Sequence, residues 1–279
     1  MIKNLIYIEI MKALSKKRTY IGFILLAVII PLIVLAINNG GVYLEQKIYG
    51  QLDDSFIIFG SLTNGYLATY LIAAVLTGQM PFLTTIIPAE IVSGEYAKGN
   101  FRMYLTRPIS RGNVLLSKLI VVLLYTTIIM FFFIFYTLFC GVLFMGGGDL
   151  AVFHNGLLFL GYDDIIWRFF MAFLISLNVM ISISCLCFML STFTRNSVTP
   201  IIVTISTVFI GSALSFIPLE LFEIINPYLF TGYIDLFLSS FHDPIPWNEI
   251  LNATIVCYVW SGLFVFVAFH HFLKKEIAR

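Results

Sequence analysis

The residues able to do chemistry are few, and most of them gather in one stretch. Between Glu90 and Lys118 lie five basic residues and two acids, among few bulky apolar side chains. Within it, Gly94 and Gly99 have the spacing of the glycines in a phosphate-binding loop. Asn100 and Phe101, however, stand where such a loop needs Lys and Ser or Thr to hold phosphate and magnesium. The chain is therefore expected to have no ATP site of its own and to bind neither ATP nor magnesium. Cys140, Cys185, Cys187 and Cys257 have no His or carboxylate company in the sequence and read as small packing residues, not metal ligands. His270 and His271 read as side chains at a membrane interface. No Ser/His/Asp or Cys/His arrangement converges, so an enzyme is not expected.

The elements that must position these residues follow from where charge is missing. The chain of 279 residues is 60% apolar and 11% charged, against about 25% charged in a soluble domain. Six intervals of more than twenty residues contain no Asp, Glu, Lys or Arg. A helix needs about 20 apolar residues to cross a hydrocarbon core of ~30 Å, and in lipid the backbone must satisfy itself. The expected fold is an all-α polytopic membrane protein, one domain over residues 1–279. Its spans are placed at 19–37, 66–89, 115–143, 166–193, 198–217 and 250–272. A near-neutral total, net +1, gives no reason to expect nucleic acid as a partner.

The positive-inside rule sets orientation. With both termini cytoplasmic, the inner segments hold fourteen basic residues and four acids, a net +10. The outer segments hold two and eleven, a net −9. Residues 1–18 carry Ile2, Leu5, Ile6, Ile10, Ala13 and Leu14 at helical spacing, with Lys3, Asn4, Lys12 and Lys16 off that stripe. They are expected to form an interfacial helix with its lysines near lipid head groups. The outer loops are 38–65, 144–165 and 218–249. The last is punctuated by four prolines and is expected to hold short extracytoplasmic helices before the sixth span.

The charged stretch also carries a family resemblance. Glu90, Glu95, Gly99, Leu105, Pro108, Ser110, Arg111 and Lys118 follow the spacing Glu-x(4)-Glu-x(3)-Gly-x(5)-Leu-x(2)-Pro-x-Ser-Arg-x(6)-Lys. This resembles the permease subunits of type 2 ABC exporters. Asn100 replaces the usual Thr, and Tyr104 one member of a Leu pair. The likeness extends over the whole chain: surface helix, six spans, both ends inside and a long last outer loop.

The resemblance implies a coupling helix at roughly Gly94–Thr106, docking on a separate ATPase subunit that carries ATP and magnesium. Two such subunits would pair with a dimer of permeases, identical or paralogous, in the cytoplasmic (inner) membrane. The residues implied for coupling are Glu90, Glu95, Gly99, Arg102, Leu105, Arg107, Pro108, Ser110 and Arg111. Pro108 would end the helix and Ser110 cap the third span. The arginines would contact the partner or lipid phosphate, or simply orient the chain.

The residues also leave room for a stand-alone channel or secondary carrier, or for a non-transporting scaffold. A path of its own would draw on Asn64, Gln79, Thr126, Asn178 and Ser182, which serve helix packing equally well. Spans rich in Phe and Ile, with few charges, point to an amphipathic or lipid-like substrate.

Overall fold

The computed structural model describes residues 2–41, 63–97, 110–153, 157–215 and 224–274. Among them, six helices are long and apolar enough to cross a membrane: Lys17–Asn39, Gly65–Ala97, Arg111–Met145, Asp163–Phe193, Val198–Ser215 and Trp247–Lys274. We label the elements α1 (Ile2–Leu14), α2 (Lys17–Asn39), α3 (Gly65–Leu76), α4 (Met80–Thr84), α5 (Ile86–Ala97), α6 (Arg111–Met145), α7 (Tyr162–Phe193), α8 (Val198–Ser215) and α9 (Trp247–Lys274). The six expected spans lie within these helices, apart from residues 216 and 217 of the fifth, which lie outside the described residues.

Two helices carry breaks that neighbours repair. Pro31 lies inside α2 and has no amide for the carbonyl of Ala27. The Tyr136 hydroxyl on α6 donates to that carbonyl instead, at 3.3 Å. The second span, expected as one helix, is α3, a 3-10 turn at Thr77–Gln79, α4 and α5 in succession. Pro81 and Pro88 both fall here. At the break before α5, Tyr125 on α6 donates to Leu83 O at 3.0 Å, and the Cys187 thiol on α7 lies 3.6 Å from Thr85 O. Broken helices survive at membrane depth only where side chains from other helices restore the lost hydrogen bonds.

The core sits around α6 and α7. Half of the apolar window of α6 and 67% of that of α7 are buried, against 22% in α2 and α8 and 28% in α9. α6 is 35 residues long, about 52 Å at 1.5 Å per residue, so it tilts or protrudes from a ~30 Å core. Its far end is pinned to α3. A side chain at Gly65 or Gly141 would overlap the other helix's backbone, and Gly65 N donates to Gly146 O at 2.9 Å. Gly146 ends α6 with φ of 75°, a conformation that glycine adopts without strain. Gly141→Leu is expected to force α3 and α6 apart at a cost of about 3 kcal/mol, the upper end for overpacking. A melting temperature in detergent unchanged from the parent would contradict this close approach.

The segment between α6 and α7 was expected to be a loop. It holds an antiparallel hairpin, Leu150–Phe153 with Leu157–Leu160, in which Leu150 pairs with Leu160. Short 3-10 helices precede α9 at Asn226–Tyr228, Phe230–Tyr233 and Leu236–Phe241. Arg168 on α7 is buried and ties the last of them down. Its Nη1 donates to Ser240 O at 3.0 Å and His242 O at 2.7 Å.

The N-terminal helix differs from expectation in burying an acid, Glu9, beside residues of the apolar stripe. α1 packs on α6 through Leu5 and Glu9, with Ile10 and Ala13 of the expected stripe partly buried against the core, whereas Ile2 and Leu14 are exposed, with Tyr7, Ile8 and Met11 beside them. Glu9 falls four residues after Leu5, one helical turn on, so it lies on the packed side.

Candidate functional site

The charged residues flanking the 98–109 segment converge on one place. α5 ends just before that segment and carries Glu90 and Glu95. α6 begins just after it, with Ser110 as its N-cap; the Ser110 hydroxyl accepts from Asn113 N at 3.4 Å. Two turns into α6 comes Lys118, which has no exposed surface at all. An unpaired ammonium there would cost several kcal/mol.

The pairing is a ring. Lys118 Nζ lies 2.8 Å from Glu9 Oε2 and 2.6 Å from Glu95 Oε2, and also donates to Ile91 O at 3.1 Å. Lys12 Nζ lies 2.9 Å from Glu9 Oε1 and 3.2 Å from Glu95 Oε1. Each lysine touches both carboxylates, and the four charges sum to zero. One helix turn back, the buried Glu90 has Lys16 Nζ at 3.4 Å and Arg18 Nη1 at 3.7 Å. Three parts of the chain thus meet at the charged end: α1 with the start of α2, the end of α5, and the start of α6.

A second set of bonds holds α5 from the other side. Ser93 N donates to Ser191 Oγ at 3.0 Å, and Ser191 Oγ donates to Ala89 O at 2.8 Å. Ser93 Oγ donates to Ser197 Oγ at 3.1 Å, in the turn between α7 and α8. The lower half of the second span is therefore clamped between ion pairs and serines.

Of the residues expected to act in coupling, Glu90 and Glu95 are brought into this site. Ser110 and Arg111 stand exposed at the start of α6. Gly99, Arg102, Leu105, Arg107 and Pro108 lie outside the described residues. The expected coupling helix was placed from Gly94; residues Gly94 to Ala97 form the last turn of α5, continuous with the span before it.

Of the residues suggested for a substrate path, Ser182 donates to Asn178 O at 3.2 Å, and most are engaged in caps and helix–helix hydrogen bonds. Asn64 caps α3, accepting from Tyr66 N and Leu67 N, and donates to Asp149 O at 2.6 Å. Thr126 shares a hydrogen bond of 2.8 Å with Ser184 between α6 and α7. Ser182 bonds Cys257 O and Ser261 Oγ, both at 2.9 Å, between α7 and α9. Asn178 is half-buried on α7, and Gln79 is exposed in the 3-10 turn. The four cysteines are free and buried. Among the described residues, no group of His, Cys, Asp and Glu could hold a metal ion.

Sequence reasoning missed Glu9, Lys12 and Lys118 as site residues, although Lys118 closes the quoted spacing pattern. One signal was available for Glu9: it is an acid one turn from Leu5, on a face otherwise expected to be apolar. In this arrangement both lysines are committed to the two carboxylates. What it can do is mechanical: fix the two ends of the 98–109 segment to each other and to α1.

The family model described as ABC-2 family transporter protein matches residues 5–211, from Leu5 in α1 to Gly211 in α8. The chain is also similar to the uncharacterized protein YhcI of Bacillus subtilis (strain 168), 28% identical over 214 residues. That match covers 74% of this chain and 66% of the relative, just under two thirds of its length.

Proposed function

The chain belongs to the ABC-2 family of transporter proteins, and from that premise we propose that it is the permease subunit of an ATP-driven exporter. ATP is hydrolysed on two separate ATPase subunits, and two permease chains, identical or paralogous, form the membrane path. The charged end faces the cytoplasm, both termini lie there, and the protein resides in the cell membrane. The segment 98–109 docks on the ATPase, with Arg102, Arg107 and Arg111 making charge-assisted hydrogen bonds to it or to lipid phosphate.

The observation that carries this reading is the ring at the roots of that segment. A short connection between two long helices transmits force only if its ends do not give way. Here one end is held by Glu95 and the other by Lys118, in direct contact at 2.6 Å. The outward residues of α1, Tyr7, Ile8, Met11 and Leu14, suit lipid at the inner surface, with Lys3 beside them.

The substrate is an amphipathic or lipid-like molecule that enters sideways from the bilayer. The polar side chains suggested for a path are mostly engaged in helix caps and helix–helix hydrogen bonds, which leaves little to bind a hydrophilic solute. Stimulation of ATP hydrolysis by small polar solutes, with none by amphipathic compounds, would contradict this.

Deleting residues 98–106 leaves α5 intact and is expected to abolish co-purification of the ATPase and ATP-driven transport together. Transport that persists after the deletion, or flux driven by a gradient without ATP in vesicles of the purified chain, overturns the proposal.

A further inference from the structure

Interior packing needs no ion pair to hold α1 on α6. Leu5 is already buried there, and an apolar residue at position 9 would fill the same space without a desolvation cost. Instead Glu9, 5% exposed, is committed to a lysine that is wholly buried. The same two acids are shared by Lys12, which is 42% exposed and belongs to α1 as well. The ring therefore does more than neutralise Lys118. It joins α1 to the helices on both sides of the 98–109 segment.

α1 is in turn rigidly joined to α2. Only Ser15 and Lys16 separate the two helices. Ser15 N donates to Met11 O at 3.0 Å, Lys16 N to Ala13 O at 3.3 Å and Thr19 N to Lys16 O at 3.1 Å. The Thr19 hydroxyl also donates to the Ala13 carbonyl. The Thr19 hydroxyl thus bridges the two helices across Lys16, whose backbone is extended. The Glu90 pairs with Lys16 and Arg18 brace it from α5.

We infer that Glu9 and Lys12 are positioning residues for coupling: through the ring, α1 moves with Glu95 of α5 and Lys118 of α6 and passes the displacement to α2. The first span is then driven directly, together with the second and third. This rests on the reading of the chain as an ATP-driven permease.

The test uses the permease reconstituted with the ATPase with which it purifies, probed with ATP and vanadate. Spin labels are placed at the exposed positions Tyr7 on α1, Ile24 on α2 and Leu124 on α6, each paired with exposed Val259 on α9. The native cysteines are all buried, which favours selective labelling. In the parent protein, trapping is expected to shift the distances to α1, α2 and α6 together. In Glu9→Gln, the α6 shift and ATP hydrolysis are expected to persist, while the population with α1 and α2 shifted falls about tenfold. Glu9→Asp is expected to restore most of it. Lys12→Gln, at a partly exposed position, gives the same split in direction if Glu9→Gln folds poorly.

A parent in which no distance responds to nucleotide removes both this inference and the reading it rests on. A parent in which α6 responds and α1 does not removes this inference alone. So do variants whose α1 shift equals the parent's, and variants that lose hydrolysis, the α6 shift and thermal stability in parallel.

Discussion

Lys118→Met is expected to destabilise the folded protein by about 3–5 kcal/mol, the range for removing one partner of a buried ion pair. Methionine fills much of the space of the lysine stem, so little of this loss comes from a cavity. It comes from Glu9 and Glu95, which then face each other with Lys12 as their shared cation. Ile91 O also loses its donor from Lys118. The measurement is a thermal or denaturant melt in detergent against the parent. A second variant separates charge from packing: Lys118→Met combined with Glu9→Met and Glu95→Met. Replacing a whole buried ionic group by apolar residues is often neutral or stabilising. The triple variant should therefore regain most of the stability that the single one loses, a non-additivity typical of side chains in one network. If the single variant melts with the parent, the lysine is not the buried centre of the ring.

Arg168→Met is expected to cost about 3 kcal/mol, since hydrogen bonds to a charged donor are each worth roughly 1.5–3 kcal/mol. The guanidinium serves two carbonyls, Ser240 O and His242 O, at the end of the last 3-10 helix. Neither carbonyl gains a new donor from a methionine. The segment has other attachments: Trp260 Nε1 donates to Tyr228 O at 2.8 Å, and Thr231 packs against Gly211. These hold its first half, so release should begin near Ser240. Limited proteolysis should then cut between Leu236 and Pro246 sooner than in the parent, and the melting temperature should fall. Arg168→Lys keeps a charge without the fork of donors and should lie between the two. Equal proteolysis of all three would show that the arginine does not hold this segment.

How far the sequence foretold this protein depends on the range of the interaction concerned. The spans were legible because lipid excludes charge, and a run such as 119–148 with no charged residue announces itself. The Ser110 cap was legible because a cap is local. Glu90 and Glu95 were legible as a spacing pattern, but their partners were not. Lys118 and Glu9 are 109 residues apart, and no periodicity links them. The burial of Glu9 on α1 was missed for the same reason. A stripe of Ile and Leu suggested an apolar face, whereas the lysine on α6 draws an acid, Glu9, into that face. The breaks in the second span were half visible: Pro81 and Pro88 marked the region, but the 3-10 turn at Thr77–Gln79 has no proline within it. The repair of the break before α5 by Tyr125, like that of the Pro31 break by Tyr136, depends on how α6 packs, which spacing along the chain does not encode. The hairpin at 150–160 is two four-residue strands, too short for an alternation to stand out.

The ring also fixes an order of events in the making of the protein. Ribosomes build chains from the N-terminus at about 5–20 residues per second. Glu9 is therefore polymerised some 5–20 s before Lys118, which lies 109 positions later. During that interval α2 and the second span enter the membrane while α1 still lacks its seat. The Glu9–Lys12 pair, three residues apart on one turn, can form at once and keep the helix neutral at that point. Glu95 arrives next, and Lys118 last. Docking of the N-terminal helix is thus a late step of biogenesis, and it completes only after the third hydrophobic helix has begun to emerge.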